Sequence, residues 1–462
     1  MPVLTAVLLL ALLWLGVIPA AAQTDTNPYG VIEGFWFPEL TCSLGVGWER
    51  IIFDWAQHQP TAPTDWHTLN VDDRWLKAAN QCSREVVALL KNTPAWATSD
   101  TPGAGVPSGL YLPVDDPDNH WANFVRQAAR YYAPRGVHRF IVWNEPDISR
   151  ETYGFEFEGD LDDYFQMVKV AYLAAKQGNP AAEIHLAGTT YWHDVNVGER
   201  LYLERLLERI AQDADAAAND SYFDAISLHI YFRTDSVYDI VTEARALLDS
   251  YGFTDKALWV NETNAPPTQD PAWLVDRPVF KYTLDQQAAF LVQVAALSRA
   301  AGAERIAVYK LYDQGLPPGG ETFGILRPND QSPRPAFNAW RTAAALFGDA
   351  LTAERVHNDA VDLVAMAKPD SAYVLALWSR TGEAAEVRVS GAGAVYSQLD
   401  PDTPTQTFSN GVSLTLPPAN CNGDDPAVPC PVGGAVVLVR VSSSAFDVGH
   451  VVQDETTVLF SR

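Results

Sequence analysis

Arg139-Phe140-Ile141-Val142-Trp143-Asn144-Glu145-Pro146-Asp147 takes an apolar, β-branched run directly into an amide and a carboxylate, and the proline that follows stops the strand. The arrangement returns at Leu258-Trp259-Val260-Asn261-Glu262-Thr263-Asn264-Ala265-Pro266. Runs of the same texture lie at 30–35, 48–53, 85–90, 183–187, 225–231 and 305–311, which with 139–143 and 257–260 makes eight candidate strands. Between them, 121–132, 161–177, 200–212, 237–250 and 284–301 place apolar residues at three- and four-residue steps, the signature of amphipathic helices. Eight strands alternating with helices over about 320 residues predict an α/β protein, a (β/α)8 TIM barrel. A doubly wound sheet would need a Gly-rich turn after its first strand, and none is present.

Beyond residue 348 the texture changes. Short strand-like runs at 361–367, 372–378, 385–389, 393–399, 412–416 and 434–441 are separated by turn residues without helices of useful length. The expected organisation is a leader at 1–22, a barrel at 23–347 and a β-sandwich with a C-terminal tail at 348–462. Residues 442–462 read equally as a last strand or as a frayed end.

The leader rests on an apolar run at 3–18, broken only by Thr5, followed by Pro19 and the small residues Ala20-Ala21-Ala22. This predicts a signal peptide cut after Ala22 and a secreted protein, with no membrane insertion once the leader is gone. Because residues 1–5 hold no Lys or Arg, an uncleaved anchor at the cell surface is the alternative. Export permits disulfides, and Cys42, Cys82, Cys421 and Cys430 allow three connectivities. Cys421 and Cys430 flank a short Asn/Gly/Asp/Pro loop and form the natural local pair, leaving Cys42 with Cys82. No C-x-x-C spacing supports a metal site.

Composition narrows the partners. Of 462 residues 47% are hydrophobic, with 14 Trp, 18 Tyr and 19 Phe, so most of the chain must fold. Lys plus Arg is 32 and Asp plus Glu is 57, and the resulting net charge of −25 repels phosphate backbones and anionic lipid, which argues against nucleic acid as a partner. So many Trp suit a carbohydrate cleft, where apolar sugar faces stack on rings, although core packing uses them equally well. Nothing in the sequence speaks to oligomeric state.

In a (β/α)8 barrel the reacting groups sit where strands end. Glu145 and Glu262 close the fourth and seventh runs, on facing parts of an eight-stranded ring, so the two carboxyls can meet across its mouth. Two facing carboxyls are what glycoside hydrolysis uses: one protonates the leaving oxygen and the other attacks or stabilises an oxocarbenium-like carbon. Separations of about 5 to 5.5 Å imply retention of configuration, and about 6.5 to 9.5 Å inversion.

With these residues in view, the stretch 29–340 resembles the clan A glycoside hydrolases and is most similar to family 39 and its relatives. Asn144-Glu145-Pro146 matches the acid/base motif at the end of strand four, and Asn261-Glu262-Thr263-Asn264 the nucleophile motif at the end of strand seven. Further matching pieces are Gly47-Trp48-Glu49-Arg50, Asn92-Thr93-Pro94-Ala95-Trp96-Ala97, Ser227-Leu228-His229-Ile230-Tyr231 and Phe323-Gly324-Ile325-Leu326-Arg327 running on to Pro333-Arg334-Pro335-Ala336. The resemblance implies a secreted retaining glycosidase that cleaves polysaccharides or oligosaccharides by double displacement, with Glu145 as general acid/base and Glu262 as nucleophile. It also implies that Asn144 donates to the sugar 2-hydroxyl, and that no metal or organic cofactor is needed because acid, base and nucleophile are all carboxyls.

Other candidates follow from position. His229 and Tyr231, two apart on one strand face, are expected to orient Glu262 or the substrate, and Arg50 to lie inside the barrel holding Glu262 ionised; a structural His and a surface Arg are the bland alternatives. Trp55, Trp96 and Trp143 are sugar platforms or core residues, and Glu33 ends the first strand within reach of a hydroxyl. Loops 263–281, with Trp273, and 313–334 are long enough to wall a cleft. One departure stands out. Clan members often carry a Trp at the end of strand eight, whereas this chain reads Tyr309-Lys310-Leu311-Tyr312, so Lys310 or Tyr312 is expected in that place, with Lys310 meeting an acidic sugar or pairing with Glu145 or Glu262. The rival reading from another class is a carbohydrate-binding or surface protein that keeps the barrel without turnover, and the intact Asn144, Glu145 and Glu262 argue against it.

Overall fold

The computed structural model describes residues 27–423, 428–442, 445–453 and 455–462; the run at 3–18 and the Ala20-Ala21-Ala22 site lie outside them. Eight parallel strands, β1 (Tyr29–Ile32), β2 (Trp48–Asp54), β3 (Glu85–Lys91), β4 (Arg139–Val142), β5 (Glu183–Thr190), β6 (Ala225–Tyr231), β7 (Ala257–Asn264) and β8 (Arg305–Val308), close on themselves in sequence order. Each is buried on both faces, and this is why they read as continuous apolar runs. Ile32, Trp48, Val87, Leu89, Ile141, Ala225, Trp259 and Ala307 pack together as one cluster inside the ring. The side chains that fill it make the barrel a packed core, not a pore.

Three irregularities in the ladder fall on one side of the ring. Register shifts between His185 and Gly188 where β5 meets β6, between Leu228 and His229 where β6 meets β7, and between Val260 and Thr263 where β7 meets β8. Such bulges re-aim side chains. The second pairs Leu228 with Val260 but His229 with Glu262, skipping Asn261, and so brings the carboxylate beside the imidazole.

Helices Val237–Ser250 and Leu284–Ala300 lie where periodicity places them, the latter ending one residue early. Shorter helices, among them Pro38–Ser43, Trp55–His58 and Tyr191–Val197, carry too few turns to register as a period. Two antiparallel sheets follow. One has six strands in the order β14-β13-β16-β11-β10-β9, built from β9 (Thr352–His357), β10 (Val361–Ala367), β11 (Tyr373–Ser379), β13 (Gly393–Ser397), β14 (Gln406–Phe408) and β16 (Val437–Val441). The other has four in the order β15-β12-β17-β18: β12 (Ala385–Val389), β15 (Val412–Leu416), β17 (Asp447–Val452) and β18 (Glu455–Ser461). Leu363, Leu375, Val387, Leu414 and Val439 meet between them as the sandwich core. The tail is therefore a hairpin; the edge strands β9 and β14 escaped the sequence because their residues are mostly exposed and polar.

The helix Leu284–Ala300 is buried on almost every side; Ala, Phe, Leu and Val supply most of that surface, and the buried Gln286, Gln287 and Gln293 all find hydrogen-bond partners. Its Gln293 accepts from Gly433 N at 3.1 Å and donates to Gly434 O at 2.8 Å, fixing the sandwich to the barrel. Both expected disulfides form, Cys42–Cys82 with Cα atoms 5.7 Å apart and Cys421–Cys430 at 3.9 Å. No helix among the described residues is long and apolar enough to cross a membrane.

Candidate active site

β4 ends at Val142, and the chain then turns sharply: Trp143 and Glu145 both adopt the left-handed region, with φ of 71° and 40°. Such backbone costs on the order of 1–3 kcal/mol per residue outside glycine and persists only where packing enforces it. Here the enforcement is visible. The Trp143 indole is fully buried and donates to Glu156 O at 3.1 Å, while Glu145 N donates to Gly188 O at 3.1 Å on the neighbouring strand. Glu145 is thus aimed into the ring and remains partly exposed.

Glu262 lies on β7 itself and is buried. Arg50, on β2, donates through Nη2 to Glu262 Oε1, and the Tyr231 hydroxyl donates to Oε2 at 2.5 Å. His229 stands between the carboxyls, its Nδ1 2.6 Å from Glu145 Oε1 and 3.5 Å from Glu262 Oε2. One oxygen of each Glu and a ring nitrogen of His229 all lie within 4.8 Å of one another. The imidazole fits only because residue 188 is glycine: a Cβ there would fall 1.9 Å from His229 Nε2. The carboxyls expected to meet across the mouth are therefore neighbours, with Arg50, His229 and Tyr231 gathered around them.

Electrostatics separate the groups. Burial works to raise the Glu262 carboxyl, but Arg50, His229 and the Tyr231 hydroxyl together outweigh it and hold it below the ordinary carboxylate range. Burial works to lower His229, and the charges of Glu262 and Glu145 overcome it, so its pKa is raised. Burial, followed by Glu262, pushes the Tyr231 phenol well up, leaving it a proton donor. A fourth group escaped the sequence reading. Asp147 accepts from Thr190 N at 2.6 Å and Thr190 Oγ1 at 2.7 Å, and burial, with a contribution from Glu145, pushes its pKa up to about 7.

Asn144 donates through Nδ2 to Glu156 Oε2 at 3.1 Å, and Lys91 Nζ holds the same oxygen at 2.5 Å. Lys91 ends β3, so the rule that found Glu145 could have found it; Glu156 sits in a loop and left no comparable mark. Glu33, immediately after β1, pairs with Lys310 Nζ at 2.5 Å, so Lys310 meets neither Glu145 nor Glu262. Tyr312 turns away, its hydroxyl donating to Pro328 O at 3.2 Å. Tyr309, not singled out by the sequence, faces Tyr231 with ring centroids 6.2 Å apart. Of the three proposed platforms, Trp55 and Trp143 are fully buried and offer no surface; Trp96 stays partly exposed, its indole donating to Gln59 O at 2.6 Å. The long loops join: Trp273 Nε1 donates to Gly320 O at 3.0 Å and Asp276 N to Gly319 O at 2.9 Å.

Glu145, His229 and Glu262 are close enough to share a cation. Arg50 already supplies positive charge to Glu262, however, and Arg50 and Tyr231 engage its two oxygens, an arrangement suited to a held carboxylate. A cavity of about 1020 Å³ lies at the other end of the barrel, bordered by Pro28, Arg139, Glu183, Asp224, Ala257 and Arg305 where strands begin. In this fold that face serves stability, and chemistry belongs at the strand ends.

The architecture, an eight-stranded parallel barrel with a β-sandwich, is that of solved glycoside hydrolases of clan A. A family 39 glycoside hydrolase from the gut symbiont Bacteroides cellulosilyticus WH2 is similar over 90% of this chain and 81% of its own, at a TM-score of 0.68 and 16% identity. A monomeric β-xylosidase from Caulobacter crescentus CB15 matches over 90% and 96%, with a TM-score of 0.59 and 14% identity. An endoxylanase of glycoside hydrolase family 30 from Clostridium papyrosolvens C71 matches over 91% and 97%, at 0.57 and 13%. No family model and no curated protein matches the sequence.

Proposed function

We propose that this chain is an exported retaining glycoside hydrolase that cleaves O-glycosidic bonds in polysaccharides or oligosaccharides, with residues 1–22 as its leader, the barrel at 23–347 as the catalytic unit and the sandwich at 348–462 as a structural cap. The observation that carries the reading is the approach of Glu145 and Glu262 to within 4.8 Å across a mouth that also holds Arg50, His229 and Tyr231. That closeness leaves no room for a water between carboxyl and sugar and supports retention. The fold shared with glycoside hydrolases adds weight, although a fold alone never assigns chemistry.

In the first step Glu262, ionised beside Arg50, attacks the anomeric carbon while Glu145 gives its proton to the leaving oxygen. In the second, Glu145 takes a proton from water, which opens the glycosyl ester and releases Glu262. Arg50 and the Tyr231 hydroxyl keep the nucleophile oriented between turnovers, and His229 balances the two carboxyls. Asn144, steadied by Glu156 and Lys91, contacts the sugar beside the reacting carbon, and Trp96 offers a partly exposed ring at the rim.

Screening 4-nitrophenyl glycosides with the wild type and Glu262→Gln, then following the first product anomer by NMR, tests this. Release of nitrophenol by the wild type alone and a retained anomer are expected. An inverted anomer would remove Glu262 as nucleophile, and sugar binding without nitrophenol release by the wild type would favour the binding-protein reading.

A further inference from the structure

The Glu33–Lys310 pair takes no part in the chemistry above, yet it borders the reacting groups. Glu33 follows β1 in the left-handed region (φ 57°), pinned by a bond from its own N to Arg50 O at 3.0 Å. Lys310 follows β8, and β1 and β8 are the strands that close the ring. A continuous path links the pair to the nucleophile. Tyr231 bonds Glu262 at 2.5 Å, its ring lies 6.2 Å from that of Tyr309, and Lys310 Nζ sits 5.5 Å from the Tyr309 ring centroid. Burial first, then the charges of Glu262 and Glu33, pushes the Tyr309 phenol up, as expected of a ring standing between the two carboxylates.

Two features bear on what binds here. The Glu33 and Lys310 side chains are 16% and 15% exposed, so both charges are held at an accessible edge. An ammonium has three donors and a carboxylate about four acceptor positions, and their mutual contact uses one of each. Donor and acceptor are thus offered side by side, complementary to neighbouring sugar hydroxyls, each of which can accept and donate. Moreover, three cations near the mouth are committed: Arg50 to Glu262, Lys91 to Glu156 and Lys310 to Glu33. With Asp54 and Glu145 also at strand ends, a carboxylate on the ligand would enter a field that is already negative.

We propose that Glu33 and Lys310 form a subsite for adjacent hydroxyls of a neutral sugar, and that their pairing makes the mouth discriminate against uronates. The inference rests on the glycosidase reading for its kinetic test but not for its binding test.

The experiment compares matched 4-nitrophenyl β-D-glucoside and glucuronide, galactoside and galacturonide, with β-D-xyloside added. Calorimetric titration of glucose, galactose, xylose, glucuronic acid and galacturonic acid runs in parallel. For the wild type, kcat/KM on the cleaved neutral glycoside is expected to exceed that on its uronide by about 100-fold. Glu33→Gln, which frees the ammonium, should narrow the ratio about tenfold, and Lys310→Met should raise KM for the neutral glycoside about tenfold with the larger part of the loss in KM. A wild type that prefers a uronide, or variants that leave both ratio and KM unchanged, overturns the proposal. Neutral sugars that bind and are weakened by Glu33→Gln without any glycoside being cleaved would support the subsite and sink the glycosidase reading. No binding and no cleavage of any of these sugars overturns both.

Discussion

The two ends of the barrel hold the same residue types at the same depth and put them to opposite use. At the mouth, His229 lies between Glu145 and Glu262 and its pKa is raised. At the base, His185 is equally buried, packs edge-on to Trp259 at 4.4 Å, and is driven well below its ordinary value by burial and then by Arg139 and Arg305. The carboxylates divide likewise. Glu85 is shared by Arg139 and Arg305, and Arg139 also holds Glu183, so at the base each charge is surrounded by its opposite. At the mouth two carboxylates crowd one another, Glu145 on strained backbone and Glu262 on strand β7. Neighbours, not residue type, decide whether a buried charge serves structure or chemistry.

The largest effect that would break this comparison is Glu262→Gln against Glu85→Gln. The first should lower kcat on an aryl glycoside by about 10,000-fold with the fold intact, judged by kinetics and circular dichroism. The second should leave kcat near wild type and cost about 3 kcal/mol in urea unfolding, because it strips a shared partner from two arginines. Equal kinetic losses in both would end the division. Glu145→Gln should follow at about 100- to 1,000-fold, and less for leaving groups that need no proton; an identical loss across a series of substituted aryl glycosides would count against an acid role.

The histidines sharpen the contrast through pH. Because His229 is raised above 6.5, its charge contributes stability in full below that value and loses it as pH rises through the folded pKa. His185 is lowered, so the unfolded chain takes up a proton the native state refuses, and stability falls as pH drops through about 6.5. Thermal unfolding of His229→Gln should therefore show its deficit mainly at acid pH, whereas His185→Leu should gain relative to wild type as pH is lowered from 8 to 5. Parallel pH curves for the two would overturn the assignment. The smallest effect concerns the aromatic rings: Trp96→Ala should raise KM about fivefold, while Trp55→Phe should change melting temperature and leave KM alone.

The barrel was legible because its strands are buried on both faces and end in polar residues, so 225–231 reads as a strand without knowledge of its partners. Glu145 and Glu262, the proposed reacting pair, stood out for the same reason, as carboxyls at strand ends. What periodicity could not supply was register: the skipped Asn261 that sets Glu262 beside His229 depends on two strands at once. Nor could it tell a fully buried Trp55 from a partly exposed Trp96, since the two sit 6.1 Å apart, centroid to centroid, in one aromatic cluster. Lys310 was found as a departure, but its choice of Glu33 reflects the closure of β8 on β1, a contact between opposite ends of the barrel sequence.

The helix Leu284–Ala300 follows the strand that carries Glu262, and it is enclosed by barrel on one flank and sandwich on the other. Cutting the molecule at residue 348 would not release a lean catalyst but would strip the wrapping from an oily rod, inviting clumping in water. Grafting the barrel onto another carrier would succeed only if the replacement brought its own greasy cover for that rod.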